Sequence, residues 1–241
     1  MVEHEKHRHM VKLISFITAL LISSPAFAEC RLALLLALDV SSSVDEQEYK
    51  LQRNGLAAAL NSQDIRWALL NGGRGYVSLA AFEWSGRNQQ KLVLNWTKIS
   101  GHADIDHIVA GLLKTERSYD KFPTAMGWSL GYAASVLQDA PPCTRQVMDV
   151  SGDGINNDGF SPRLAYRHFP LADVTVNGLV VLSEDPAVAD FYHREVLKGP
   201  TAFLEQSQGY EGYETAMTRK LFREISDLML GQAEITTDKP G

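Results

Sequence analysis

Cysteine is scarce in this chain, with two in 241 residues, which excludes a disulfide-dense mini-scaffold and a cysteine-rich zinc module. Positive charge is not in excess either. Against 23 Lys and Arg stand 29 Asp and Glu, a net −6, so the electrostatic footprint for nucleic acid is missing. Of the seven histidines, His4, His7 and His9 fall in the first ten residues, and those that remain (His102, His107, His168, His193) do not form a histidine-rich metal motif. Long apolar runs are lacking as well. The stretch Leu13 to Ser23 spans 11 residues, short of the roughly 20 that a membrane-spanning helix needs. What is present is 45% hydrophobic and 22% charged sequence, the composition of a globular domain large enough for a full core.

The N-terminus has a basic-leaning start (Lys6, Arg8, Lys12), then LISFITALLIS, then Ala26-Phe27-Ala28. That is the pattern of a secretory signal with an A-x-A cleavage site. Cys30 follows Glu29 and not a small residue, which argues against a lipoprotein. Residues 1–28 are therefore expected to be a signal peptide cleaved after Ala28, 29–231 one domain, and 232–241 a mobile tail. The product would be periplasmic or secreted, with no membrane span left. Removing three cations and two anions (Glu3, Glu5) takes the net charge from −6 to −7.

Apolar or β-branched runs predict strands at 31–38, 76–84, 91–99, 145–151, 175–183 and 201–207. Helical patterns lie at about 45–60, 103–116, 125–139, 161–169, 186–197 and 211–230. Alternating strands and helices imply parallel pairing with both sheet faces covered. The exception is the pair 76–84 and 91–99, joined only by SGRNQQ. That link is too short for a crossover helix, so one strand must be antiparallel. The expected architecture is a three-layer, Rossmann-like α/β fold: an open, mostly parallel sheet of about six strands with one antiparallel edge strand.

The most apolar strand, RLALLLAL, ends in DVSSS. Ligands of open α/β sheets bind beyond the carboxyl ends of the strands, where strand order reverses, and Asp39, Ser41 and Ser43 stand at such an end. Thr124, in KFPTAMGW before a helix, and Asp153, in DVSGDG past the fourth strand, are placed to join them. All five are hard oxygen donors, suited to Mg²⁺, Mn²⁺ or Ca²⁺ and not to a soft metal.

This pattern resembles the metal-ion-dependent adhesion site of von Willebrand factor type A domains: DxSxS after the first strand, a Thr before a later helix, and an Asp-Gly after the fourth strand. More narrowly, the chain resembles an exported bacterial branch of that family with no assigned function. The likeness covers most of residues 29–231 in element order, including the short hairpin. It departs at SGDG, where many members carry a Thr before the Asp-Gly. The resemblance implies a bound divalent cation whose open position is filled by an Asp or Glu carboxylate from a partner protein. A hydrolytic role would need a general base near a metal-bound water. Glu46 is the nearby candidate, and as the third residue after Ser43 it reads better as a capping-box partner.

Three other patterns compete. Asp149, Ser151, Asp153, Gly154 and Asn157 match part of an EF-hand loop, but Phe160 holds the place of the bidentate Glu and a strand precedes it. The loop INNDG could still bind Ca²⁺ weakly. GWSLG (127–131) fits a nucleophile elbow around Ser129, the basis of an alternative reading as a secreted hydrolase. That motif needs a strand–turn–helix context, whereas Ser129 falls inside a helix. His102, Asp106 and His107 read as a solvated first turn.

The cysteines bear on the sheet. Cys30 lies nine residues before Asp39 and Cys143 ten before Asp153. If both Asp residues end adjacent parallel strands, the thiols meet at the opposite ends, within disulfide reach. An oxidising compartment would then join Cys30 to Cys143. The closing helix at 211–230 places Leu221, Phe222, Ile225, Leu228 and Met229 on or near one face.

Overall fold

A strand flanked by water on one face alternates in polarity, while a strand covered on both faces does not. CRLALLLALD, Cys30–Asp39 (β1), is buried along its whole length and lies at the centre of a six-stranded sheet. This arrangement comes from a computed structural model that describes residues 29–182 and 187–233; the expected signal peptide and nearly all of the expected tail lie outside the described residues.

The sheet has the order β3-β2-β1-β4-β5-β6, formed by β1, Tyr76–Trp84 (β2), Gln90–Ile99 (β3), Gln146–Gly152 (β4), Val174–Leu182 (β5) and Leu204–Gln208 (β6). Every neighbouring pair is parallel except β2 and β3, as the short SGRNQQ link requires. Successive β1 side chains serve opposite layers. Leu32, Leu34, Leu36 and Leu38 pack against helices Glu46–Asn61 (α1), Gln63–Asn71 (α2), His102–Leu113 (α3) and Tyr213–Ala233 (α7). Leu35 and Ala37 face Met126–Gln138 (α4), Pro162–His168 (α5) and Ala187–Phe191 (α6). From β1 the chain proceeds first to β2 on one side and later to β4 on the other, so the strand order reverses between β1 and β4.

Several elements differ from the sequence expectation. The helix α2 was not anticipated; Ser62 leaves the helical region (φ −63°, ψ 150°) and separates it from α1. The segment 186–197 divides into α6 and a π-helical turn, Tyr192–Val196. The last strand starts three residues later than expected, at Leu204. In α7, Leu221 and Ile225 are buried but Phe222 is exposed, because its position faces away from α1 and the sheet. The side chains of Leu228 and Met229 lie outside the described residues. Cys30 and Cys143 are joined, with Cα atoms 4.4 Å apart, at the amino ends of β1 and β4. Among the described residues no helix is long and apolar enough to cross a membrane.

Candidate metal centre

Asp39 ends β1, and its carboxylate has no exposed surface. Its Oδ1 accepts a hydrogen bond from the Ser41 amide at 2.8 Å, the local turn that an Asp followed by Ser favours. Its Oδ2 is buried with no partner among the described residues. An orphaned carboxylate oxygen of this kind costs free energy unless a cation, proton or water satisfies it. Burial, with the nearby Asp153 adding to it, pushes the Asp39 carboxyl up to about 7.

The other four expected donors gather beside it. Ser41 Oγ is 3.2 Å from Ser43 Oγ, Thr124 Oγ1 donates to Ser41 Oγ at 3.2 Å, and Ser43 Oγ donates to Asp153 Oδ1 at 2.8 Å. Three chain segments remote in sequence thus deliver two carboxylates and three hydroxyls to one place. Burial also raises the Asp153 carboxyl, against the hydrogen bond from Ser43. The group opens into a cleft of about 280 Å³ lined by Ser42, Ser43, Thr124, Asp153, Ile155 and Asn157, among others. Among the described residues no three His, Cys, Asp or Glu side chains cluster to hold a metal; the donor set here is mixed carboxylate and hydroxyl. Hard oxygens around an unsatisfied buried carboxylate fit a hard divalent cation.

Residues that motif reading did not find hold these donors in place. Arg117 donates to the carbonyls of Val40 (3.1 Å) and Ser41 (3.0 Å), clamping the DVSSS turn. Gln52 of α1 donates to the Asp39 carbonyl at 3.0 Å. Glu83, buried at the end of β2, accepts from the Tyr49 hydroxyl and the Ser118 amide, both at 2.8 Å, and so fixes the loop that carries Arg117. None of these could be found from local sequence, because each acts through groups distant along the chain.

The competing patterns are corrected by their surroundings. In INNDG, Asn157 Oδ1 accepts from the Thr124 amide at 2.9 Å while the Asn157 amide donates to the Thr124 carbonyl at 3.0 Å. Asn156 Oδ1 accepts from the Gly127 amide, and Asp158 is paired with Arg87. These side chains hold the Thr124 loop and are not arranged around a Ca²⁺ ion. Asp149 lies within β4, ion-paired with Lys220 of α7 at 2.9 Å, which breaks the EF-hand pattern. Ser129 is a buried residue inside α4, so no strand–turn–helix elbow presents it. Thr124 stands two residues before the first residue of α4, with Ala125 at the N-cap. The N-cap of α1 is Asp45, not Ser43: its carboxylate accepts from the Gln47 and Glu48 amides, and Glu48 completes the capping box. Ser43 is thereby free to face Asp153, while Glu46 pairs with Lys50 on the surface. Asp106 pairs with Arg66 at the start of α3.

No curated protein matches the sequence. Solved structures do. Proximal thread matrix protein 1 from the mussel byssus superposes with a TM-score of 0.60 at 12% identity, over 80% of this chain and 47% of that one. A second structure of that protein, described as having a zinc-occupied MIDAS motif, gives 0.58 at 14%, over 84% and 48%. The PilB minor pilin of Streptococcus sanguinis gives 0.60 at 13%, over 89% and 65%, and a von Willebrand factor type A protein from Catenulispora acidiphila 0.58 at 12%, over 83% and 43%. This chain spans about half the length of the byssus protein. At these identities the likeness establishes the fold, which is that of von Willebrand factor type A domains. Residues 29–229 match the family described as "Protein of unknown function (DUF1194)", and the chain belongs to that family.

Proposed function

We propose that this chain is an exported, divalent-metal-dependent protein-binding domain. Asp39, Ser41, Ser43, Thr124 and Asp153 would hold the cation, Mg²⁺, Mn²⁺ or Ca²⁺, and an Asp or Glu of a partner protein would complete its coordination. The observation that carries this reading is the convergence of five hard-oxygen side chains from three segments, one of them a buried carboxylate whose second oxygen has no partner among the described residues. When bound, the cation would act as a Lewis acid for an incoming carboxylate. Two ionised Asp residues and a divalent ion sum to zero, so an added anion meets no net repulsion from the site. Adhesion and pilus proteins among the structural neighbours support recognition over catalysis. The N-terminal signal pattern and the Cys30–Cys143 bond support an oxidising, extracytoplasmic setting.

The test is metal-dependent thermal stabilisation of residues 29–241. A cation present at a hundredfold excess over its Kd stabilises the folded state by about 2.7 kcal/mol. Asp153→Asn and Ser43→Ala are expected to lose that stabilisation and Ser129→Ala to keep it; equal stabilisation of all four proteins would refute the reading. Envelope proteins retained by the wild type should be released by chelator and not retained by Asp153→Asn.

A further inference from the structure

Two buried oxygens without hydrogen-bond partners among the described residues lie near each other behind the site. One is Asp39 Oδ2. The other is the hydroxyl of Tyr192, a side chain with no exposed surface. Both oxygens pack against residue 152, a glycine: a Cβ there would lie 2.8 Å from Asp39 Oδ2 and 3.0 Å from the Tyr192 hydroxyl, too close to be accommodated without a shift. The two oxygens are thus no further apart than the sum of those distances, about 5.8 Å, and no hydrogen bond joins them directly. Any separation from about 4 Å up to that bound is one that a single water closes with two ordinary O–H···O hydrogen bonds.

We propose that Tyr192 is a positioning residue for Asp39, its hydroxyl and Asp39 Oδ2 together holding one buried water that bridges them. A second glycine admits the ring. On β5, Gly178 lies beside Val150 of β4, and a Cβ there would come within 2.7 Å of Tyr192 Cδ1. Tyr192 opens the π-helical turn after α6, an element uncommon enough to be associated with functional sites. At residue 152 any Cβ would press on Asp39, so the glycine and the tyrosine form one arrangement. With Oδ1 fixed by the Ser41 amide and Oδ2 by the water, the carboxylate has one orientation, and a carboxylate oxygen retains a second lone pair for the site.

Only the consequence for affinity rests on the metal-binding reading. Partners that orient a ligand carboxylate typically change metal affinity by about 10–100-fold when removed. Tyr192→Phe keeps the ring and deletes the hydroxyl; isothermal titration with Mg²⁺ should show about tenfold weaker binding, with the metal-free melting temperature close to wild type. A packing role alone would do the reverse. Gly152→Ala should weaken binding too, because its Cβ would press on the Asp39 carboxylate directly. A crystal structure of the metal-free wild type should show that water within hydrogen-bond distance of both oxygens. A dry gap, a direct Tyr192–Asp39 bond, or unchanged Mg²⁺ affinity in Tyr192→Phe would overturn the proposal. If the wild type takes up no Mg²⁺, the metal reading falls, and the presence or absence of the water then decides this one.

Discussion

Lys220 of α7 is wholly buried, and a buried ammonium is tolerable only with close anionic partners. Its Nζ lies 2.9 Å from Asp149 Oδ1 and 2.7 Å from Glu224 Oε1, with the Phe203 ring at 4.7 Å. Asn177 Nδ2 donates to the same Glu224 oxygen at 2.8 Å. One cation cannot neutralise two carboxylates, and burial pushes the Asp149 carboxyl up to about 7 in spite of Lys220. Burial also pulls the Lys220 ammonium down, but Asp149 and Glu224 outweigh it and hold it above its ordinary value. Lys220→Met keeps most of the volume and leaves two carboxyls buried without a cation. The expected cost is about 3–5 kcal/mol, read as a fall in the urea midpoint at unchanged slope. A loss below about 1 kcal/mol, the range of exposed pairs, would show that the pair is not dry. Nothing in the sequence around Lys220 separates it from the surface lysines of an amphipathic helix, since its partners come from β4, the residue before β6 and its own next turn.

At the scale of elements, β1 and β4 carry the candidate site at their carboxyl ends and the disulfide at their amino ends. The register from Ala33↔Gln146 to Leu38↔Ser151 keeps the two strands in step, so the bond and the site lie roughly 30 Å apart at about 3.3 Å per residue. The sequence separation of 113 makes the cross-link worth about 4–5 kcal/mol by chain entropy. The double variant Cys30→Ser, Cys143→Ser should lose about that much on denaturant unfolding while Mg²⁺ affinity changes less than twofold; a large loss of affinity would mean that the strands do not hold register without the bond. The mostly parallel sheet, the hairpin and the disulfide were legible because continuous apolar runs, a six-residue link and cysteine spacing can be read from the sequence. DVSSS, Thr124 and Asp153 were legible for the same reason: a strand end followed by hydroxyls or Asp-Gly announces itself. Tyr192, Arg117 and Gln52 were not, because their roles depend on groups that only the folded sheet brings near. The N-cap of α1 was misplaced by two residues because Ser43 and Asp45 are both good caps; the pairing of Ser43 with Asp153 decides between them.

Over the whole molecule, two carboxyls on adjacent strands, Asp39 and Asp149, have folded-state pKa values raised to about 7, both mainly by burial. A carboxyl whose value is raised in the folded state holds its proton where the unfolded chain has already released it, so between the two values each rise in pH costs stability. Its contribution is fully present below the ordinary carboxyl value and is lost as pH rises toward about 7. The metal-free protein should therefore melt at a lower temperature at about pH 8 than at about pH 5.5, by this linkage. Mg²⁺ should reverse part of that loss, since a cation needs Asp39 ionised and takes the place of its proton. Asp149, with Lys220 as its partner, is out of reach of the cation. The gain in melting temperature on adding Mg²⁺ should accordingly be larger at about pH 8 than at about pH 5.5, and Asp39→Asn should abolish the difference between the two. A gain that is the same at both pH values would mean that Asp39 is already ionised at the lower one, and that a neighbour other than the cation satisfies its buried oxygen.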